Sequence, residues 1–185
     1  RTFGRGPKVS LFTLGTMRAT QGLEKMYEII KDSFYVGINH IETASSYGEA
    51  ENLIGIALEK LEMEDKISKQ NWVITTKVLP KGNFNFLKDN FKTSLKNLKL
   101  NKVHNLAIHG LNLKQHLDWV LAGEGKKFIS WILEKELVDQ VGFSSHGSYS
   151  LIKDAINCEV FSFCSLHLHY LDQSKITLAE EAIKK

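Results

Sequence analysis

Cysteine is scarce in this sequence: Cys158 and Cys164 are the only two in 185 residues. In a chain with no hydrophobic signal segment, that scarcity excludes a disulfide scaffold and points to reduced thiols in a cytoplasmic protein. The two fit neither a C-x-x-C redox pair nor a tetrahedral zinc site, so both read as core residues. Long apolar runs are missing too. Nothing approaches the roughly 18 unbroken apolar residues of a membrane span, which argues against a membrane partner. An excess of one charge is also absent, with 24 Lys and Arg against 21 Asp and Glu and a net charge of +3. The lysines are scattered among acidic residues along helical segments, so the mild basicity reads as a solvated surface and argues against nucleic-acid binding. A length of 185 residues with 43% hydrophobic residues suits one filled core, residues 1–185 as a single domain.

What is present is an alternation. Short β-branched or aliphatic runs exchange with amphipathic stretches, the pattern of βαβ units around a parallel sheet. After a first strand over Leu11–Gly15, residues Leu23, Met26, Tyr27, Ile30 and Phe34 fall on one helical face, and Gly37 supplies the stop. His40–Ala44 reads as the second strand and Trp72–Lys77 as the third, with the Leu53, Ile54, Ala57, Leu58 and Leu61 stripe between them. Leu87, Phe91, Leu95 and Leu98 mark the next helix, followed by a strand over Val103–His109. The fourth helical region breaks at Gly123-Glu124-Gly125, and strand Val138–Ser144 follows. A short helix over Leu151–Ile156 leads to Val160–Tyr170 as the sixth strand, and the last residues begin a helix.

Strand ends recur about every 30 to 35 residues, so a (β/α)8 TIM barrel of about 250 residues needs two more units than the six found here. The competing doubly wound sheet lacks its diagnostic G-x-G-x-x-G turn. The expected fold is therefore α/β, a TIM barrel with six of eight units present. The chain opens on Arg1 and closes on a helix-like Leu178–Lys185 without a capping Gly or Pro. Both ends read as cuts, and the edge strands beside the gap are expected to need a covering partner for solubility.

Barrel active sites lie at the C-terminal ends of the strands. There the sequence places Gly15-Thr16, Glu42 to Tyr47, Lys77, His109 and Ser144-Ser145. Each has a bland reading as a solvated charge, a capping imidazole or a turn residue. Together they make a proton donor, a cation, a second donor and a carboxylate. A phenol that gives up its proton near neutral pH needs its phenolate stabilised by roughly 3 to 4 kcal/mol. One ammonium about 4 Å away supplies about 4 kcal/mol at an effective dielectric near 20. On this reading Tyr47 is the acid, Lys77 the ammonium, Glu42 the carboxylate that keeps Lys77 charged, and His109 the donor to a substrate carbonyl oxygen.

These residues carry a resemblance. Gly37-Ile38-Asn39-His40-Ile41-Glu42-Thr43-Ala44-Ser45-Ser46-Tyr47-Gly48 resembles the G-x-x-x-x-D-T-A-x-x-Y-G signature of the aldo-keto reductases. Thr75-Thr76-Lys77, Ser94-Leu95-Lys96-Asn97-Leu98 with Ile108-His109, and Val141-Gly142-Phe143-Ser144 are similar to further motifs of that family, in order and with its spacing. The resemblance implies an NADPH- or NADH-dependent oxidoreductase that reduces an aldehyde or ketone, with Tyr47, Lys77, His109 and Glu42 catalytic. It implies cofactor contacts from Gly15, Thr16, Met17, Glu42, Ser144, Ser145 and Ser165. Three positions depart from the pattern: Glu42 stands for an Asp, Ser145 for an Asn, and Ser165 for a Gln. The longer Glu42 leaves open whether Lys77 or the carboxylate gives way. The pattern is most similar to the branch with a ferredoxin-like iron–sulfur extension, and no cysteine cluster of that kind lies in these residues.

Two other functions compete. His167 and His169 alternate on one strand face, as do His40 and Glu42, which suits a metal-dependent hydrolase, although no further ligand falls at a recognisable spacing. The change at Glu42 also suits a nicotinamide-binding module with little turnover.

Overall fold

The chain is described by a computed structural model that covers residues 1–19 and 21–185. Its strands are β1 (Leu14–Gly15), β2 (His40–Glu42), β3 (Val73–Val78), β4 (Val103–Ile108), β5 (Val138–Ser145) and β6 (Phe163–Leu166). Between and after them run α1 (Gly22–Tyr35), α2 (Ala50–Lys60), α3 (Phe84–Leu98), the pair α4 (Lys114–Ala122) and α5 (Glu124–Glu134), α6 (Tyr149–Asn157) and α7 (Ile176–Ile183). All strand pairs are parallel and their order is sequential, β1-β2-β3-β4-β5-β6. A doubly wound sheet reverses its order at a switch point. This one does not, and the six strands curl as a partial (β/α)8 barrel.

Local chemistry explains the elements. All six residues of β3 are buried, as expected of a parallel strand covered on both faces. Gly37 takes φ +81° just past α1, where its N–H and that of Ile38 bond the Phe34 and Ser33 carbonyls and close the helix. Asn83 and Ser148 cap α3 and α6 through side-chain oxygens that accept from Phe86 and Leu151 N–H. Gly123 separates α4 from α5, as its place in the sequence suggested. The core they enclose includes the fully buried Trp72, Phe91, Phe128 and Phe143.

β2 ends at Glu42, two residues before the predicted Ala44, and the two outer strands are shorter still relative to the residue pattern. β1 holds only Leu14 and Gly15, because Leu11 and Phe12 lie in an exposed bend. β6 begins at Phe163, after the Ser162 N–H has bonded Val141 O, and stops at Leu166 before an exposed turn. Each is an edge with a single neighbour, so pairing ends where the one ladder ends.

The opening at the N-terminal ends of the strands is plugged. Thr2 and Lys8 bridge, and Phe3 packs on His40 and Phe163 with ring centroids 4.9 and 4.8 Å away. Beneath it a polar chain crosses the interior. Gln140 Nε2 donates to Phe3 O (2.8 Å) and to Asn105 Oδ1 (2.7 Å), and Asn105 Nδ2 donates to Thr75 Oγ1 (2.9 Å). Thr75 Oγ1 lies 2.7 Å from His40 Nε2, and Thr13 Oγ1 lies 2.9 Å from His40 Nδ1. His40 is therefore a plug residue, separated in role from Glu42, and the two do not form a metal pair.

Helices α2 and α3 meet at Gly55, where an added Cβ would collide with Asn97 O and lie 2.8 Å from Leu98 C. Both are backbone atoms, so the helices would have to separate. Gly55→Ala is expected to destabilise the fold by roughly 1 to 3 kcal/mol of overpacking, offset by up to about 1 kcal/mol of helix propensity. Urea unfolding measures the net loss, and an unchanged midpoint would contradict the close approach.

Candidate active site

At the opposite end, the strand termini surround a cavity of about 640 Å³ lined by Glu42, Tyr47, Lys77, His109, Ser144 and Ser165 among others. Tyr47 sits in the loop between β2 and α2. Its N–H bonds Ala44 O, and Gly48 at φ +57° lets the chain turn into the helix. The phenol is thereby held over the end of β3.

Lys77 is 2% exposed, and its ammonium has three protein acceptors. Nζ donates to Tyr47 Oη at 3.0 Å and to Thr43 O at 3.0 Å, and pairs with Glu42 Oε2 at 3.1 Å. Two of these contacts are hydrogen bonds and the third is an ion pair. An ammonium so buried costs stability unless it is paired and hydrogen-bonded, and here it has one carboxylate partner and two hydrogen bonds. The extra methylene of Glu42 therefore displaces neither partner: the ion pair and the Lys77–Tyr47 contact coexist.

His109 follows β4, its N–H bonded to Val78 O at 2.8 Å, and its ring stands edge-on to Tyr47 with centroids 5.5 Å apart. Burial, aided by the Lys77 ammonium and by His146, pushes its pKa down to about 4. The imidazole is neutral at pH 7. Ser46 Oγ lies 3.2 Å from Nδ1. A hydroxyl proton given there leaves Nε2–H as the ring's own donor. Ser46 was not singled out from the sequence, although it adjoins Tyr47 in the signature.

The expected cofactor contacts divide. Ser144 Oγ lines the cavity and accepts the Gly110 N–H at 3.1 Å, which leaves its own proton to give, and Ser165 lies beside it in register. Ser145 points elsewhere, 1% exposed, donating to Leu111 O at 2.6 Å. Adjacent strand residues face opposite sides, so Ser144 and Ser145 do not share the cavity. Thr16 is buried and donates its N–H and its hydroxyl to Glu42 O, Gly15 is exposed in β1, and Met17 is 58% exposed. None of these three lines the cavity. Leu79, Pro80, Lys81, Asn112, His116 and His146 do line it, each a few residues past a strand end that the sequence had marked.

Cys158 and Cys164 are free and half-buried, and burial raises both thiols, Cys164 to about 11. Among the described residues, no helix is long and apolar enough to cross a membrane.

A polar cluster at the C-terminal ends of parallel barrel strands is the arrangement of a β/α-barrel enzyme. The family model described as "Aldo/keto reductase family" matches residues 12–174, and the chain belongs to that family. Among solved structures it is similar to a putative aldo-keto reductase from Pseudomonas aeruginosa, at 20% identity and TM-score 0.83, covering 100% of this chain and 73% of that one. An aldo/keto reductase from Brucella melitensis is similar at 20% identity and TM-score 0.76, over 97% of this chain and 66% of that one. A Bombyx mori aldo-keto reductase in complex with NADP is similar at 18% identity and TM-score 0.71, over 90% of this chain and 57% of its own.

Proposed function

We propose that this cavity reduces an aldehyde or ketone to an alcohol, with NADPH or NADH as the reductant. The observation that carries the reading is the 3.0 Å hydrogen bond between Lys77 Nζ and Tyr47 Oη, made while Thr43 O accepts a second one and Glu42 pairs with the ammonium charge. Family membership supports it, as does the NADP of the Bombyx mori relative.

The residues present fit a nicotinamide: the side-by-side hydroxyls of Ser144 and Ser165 offer a donor and an acceptor for its carboxamide. When bound, the reduced ring supplies a hydride to the carbonyl carbon. His109 Nε2–H orients the carbonyl oxygen and shares the charge that grows on it. Tyr47 Oη gives that oxygen its proton, which completes the alcohol. The phenolate left behind faces the Lys77 ammonium, whose charge stabilises it. Glu42 acts through Lys77 as a positioning residue.

Consumption of NADPH or NADH that depends on an aldehyde, with alcohol formed in equal amount, is the expected result across a panel of small carbonyl compounds. Cofactor binding with no alcohol formed would overturn the proposal in favour of a binding module. For Glu42, Glu42→Asp is expected to keep turnover within about tenfold because the charge is retained, whereas Glu42→Ala strands a buried ammonium and costs about 10²-fold. Equal losses in the two variants, read from initial rates, would contradict the pairing role.

A further inference from the structure

Beyond β6 the chain places metal-ligating side chains that the reduction does not use. The rings of His167 and His169 meet at 4.8 Å between centroids, and His167 also packs on His146 at 5.2 Å. The chain then reverses. His169 and Asp172 exchange both backbone hydrogen bonds, at 3.2 and 3.1 Å, which brings the Asp172 carboxylate back to the two imidazoles. One ligand atom from each of His167, His169 and Asp172 lies within 4.8 Å of the others.

The carboxylate is prepared for the role. Ser174 donates its N–H (3.0 Å) and its hydroxyl (2.7 Å) to Asp172 Oδ1. Those two bonds fix Oδ1 and leave Oδ2 to act as a ligand. The Leu171 N–H, 3.2 Å from His169 Nδ1, is the one hydrogen bond an ion at that nitrogen would displace. We propose that His167, His169 and Asp172 form a site for a borderline divalent transition-metal ion, Zn²⁺ in preference to Mg²⁺ or Ca²⁺, at the mouth of the barrel cavity.

Ligand chemistry sets the selectivity. Two imidazole nitrogens and one carboxylate oxygen suit Zn²⁺, Ni²⁺ or Cu²⁺, whereas Mg²⁺ and Ca²⁺ take oxygen ligands. Tetrahedral Zn²⁺ with bonds of about 2.0 to 2.1 Å holds its ligand atoms about 3.4 Å apart, so the three groups must close by at most about 1.4 Å. Both imidazoles are exposed, and χ rotation accomplishes this without moving the core. Three protein ligands leave a fourth position open. His167 also lines the cavity, so the ion would stand at its rim. The hydrolase alternative lacked a third ligand at a readable spacing, and the His169–Asp172 turn supplies one. The inference concerns binding alone and stands apart from the reductase reading.

The test is a titration of ZnCl₂ into the 185-residue chain by isothermal calorimetry, with MgCl₂ in parallel. One Zn²⁺ per chain is expected, bound at least about 100-fold more tightly than Mg²⁺. His167→Gln, His169→Ala and Asp172→Asn should each weaken Zn²⁺ binding about tenfold or more. The double variant Cys158→Ser with Cys164→Ser should retain it. No saturable Zn²⁺ binding, or binding that survives the His and Asp variants and vanishes with the cysteines, would overturn the site.

Discussion

Tyr47→Phe is expected to lower the turnover of carbonyl reduction by about 10² to 10⁴, the range that a positioned general acid contributes. The substitution removes one oxygen. That oxygen is the atom Lys77 Nζ contacts at 3.0 Å, and the phenol ring itself lies edge-on to His109 and beneath the ammonium, 4.6 Å from Nζ to the ring centroid. Phe keeps the ring contacts, so the fold and the cavity should be unchanged. Lys77 keeps Glu42 and Thr43 as acceptors, so its charge stays compensated. Nicotinamide affinity, followed by quenching of intrinsic fluorescence, should therefore persist while kcat falls. A variant that turns over at the parental rate would remove Tyr47 from the mechanism, because no second hydroxyl among the described residues is held against the ammonium.

Much of this site is legible in the sequence because barrel geometry converts position into exposure. A residue at the C-terminal end of a strand faces the cavity rim, and Lys77 and His109 lie at the ends of the third and fourth strand patterns. What escaped was of two kinds. The two-residue alternation of a strand already separates Ser144 from Ser145, yet the motif resemblance treats them as neighbours with one task. A signature read without its pleat does not show that the two side chains face opposite sides. The other omissions depend on contacts between distant segments. Ser46 reaches His109 across 63 positions, and Gln140 reaches Phe3 across 137. Hydrophobic period carries no record of such pairs. The short β1 and β6 have the same origin, since a strand's length depends on a neighbour's ladder as well as on its own β-branched residues.

The plug makes the second large prediction, a loss of stability on mild acidification. His40 is 2% exposed and its pKa is lowered to about 4, first by burial and then by the charges of His104 and Arg1. Its hydrogen bonds use both ring nitrogens in the neutral form: Thr75 already accepts from Asn105 and has its own proton to give Nε2, leaving Nδ1–H for Thr13. A second proton would force Thr75 to accept twice in a buried layer. An unfolded histidine titrates near 6.5, so between about pH 6.5 and 4 the unfolded chain binds a proton that the folded chain refuses. Stability therefore holds above that window and falls as pH drops through it, by about 3 kcal/mol for His40 when the shift is taken at 1.36 kcal/mol per unit. His109 and His104 shift in the same direction, while Glu51, raised by burial, works the other way as it gains its proton. The His40 share is isolated by difference. Urea unfolding at pH 7 and pH 4.5 should show a loss that shrinks by about 2 kcal/mol or more in His40→Asn, although that variant starts less stable at pH 7. An equal loss in both proteins would mean that the plug accommodates an imidazolium, and the direction of the Thr13–His40–Thr75 chain would have to be reversed.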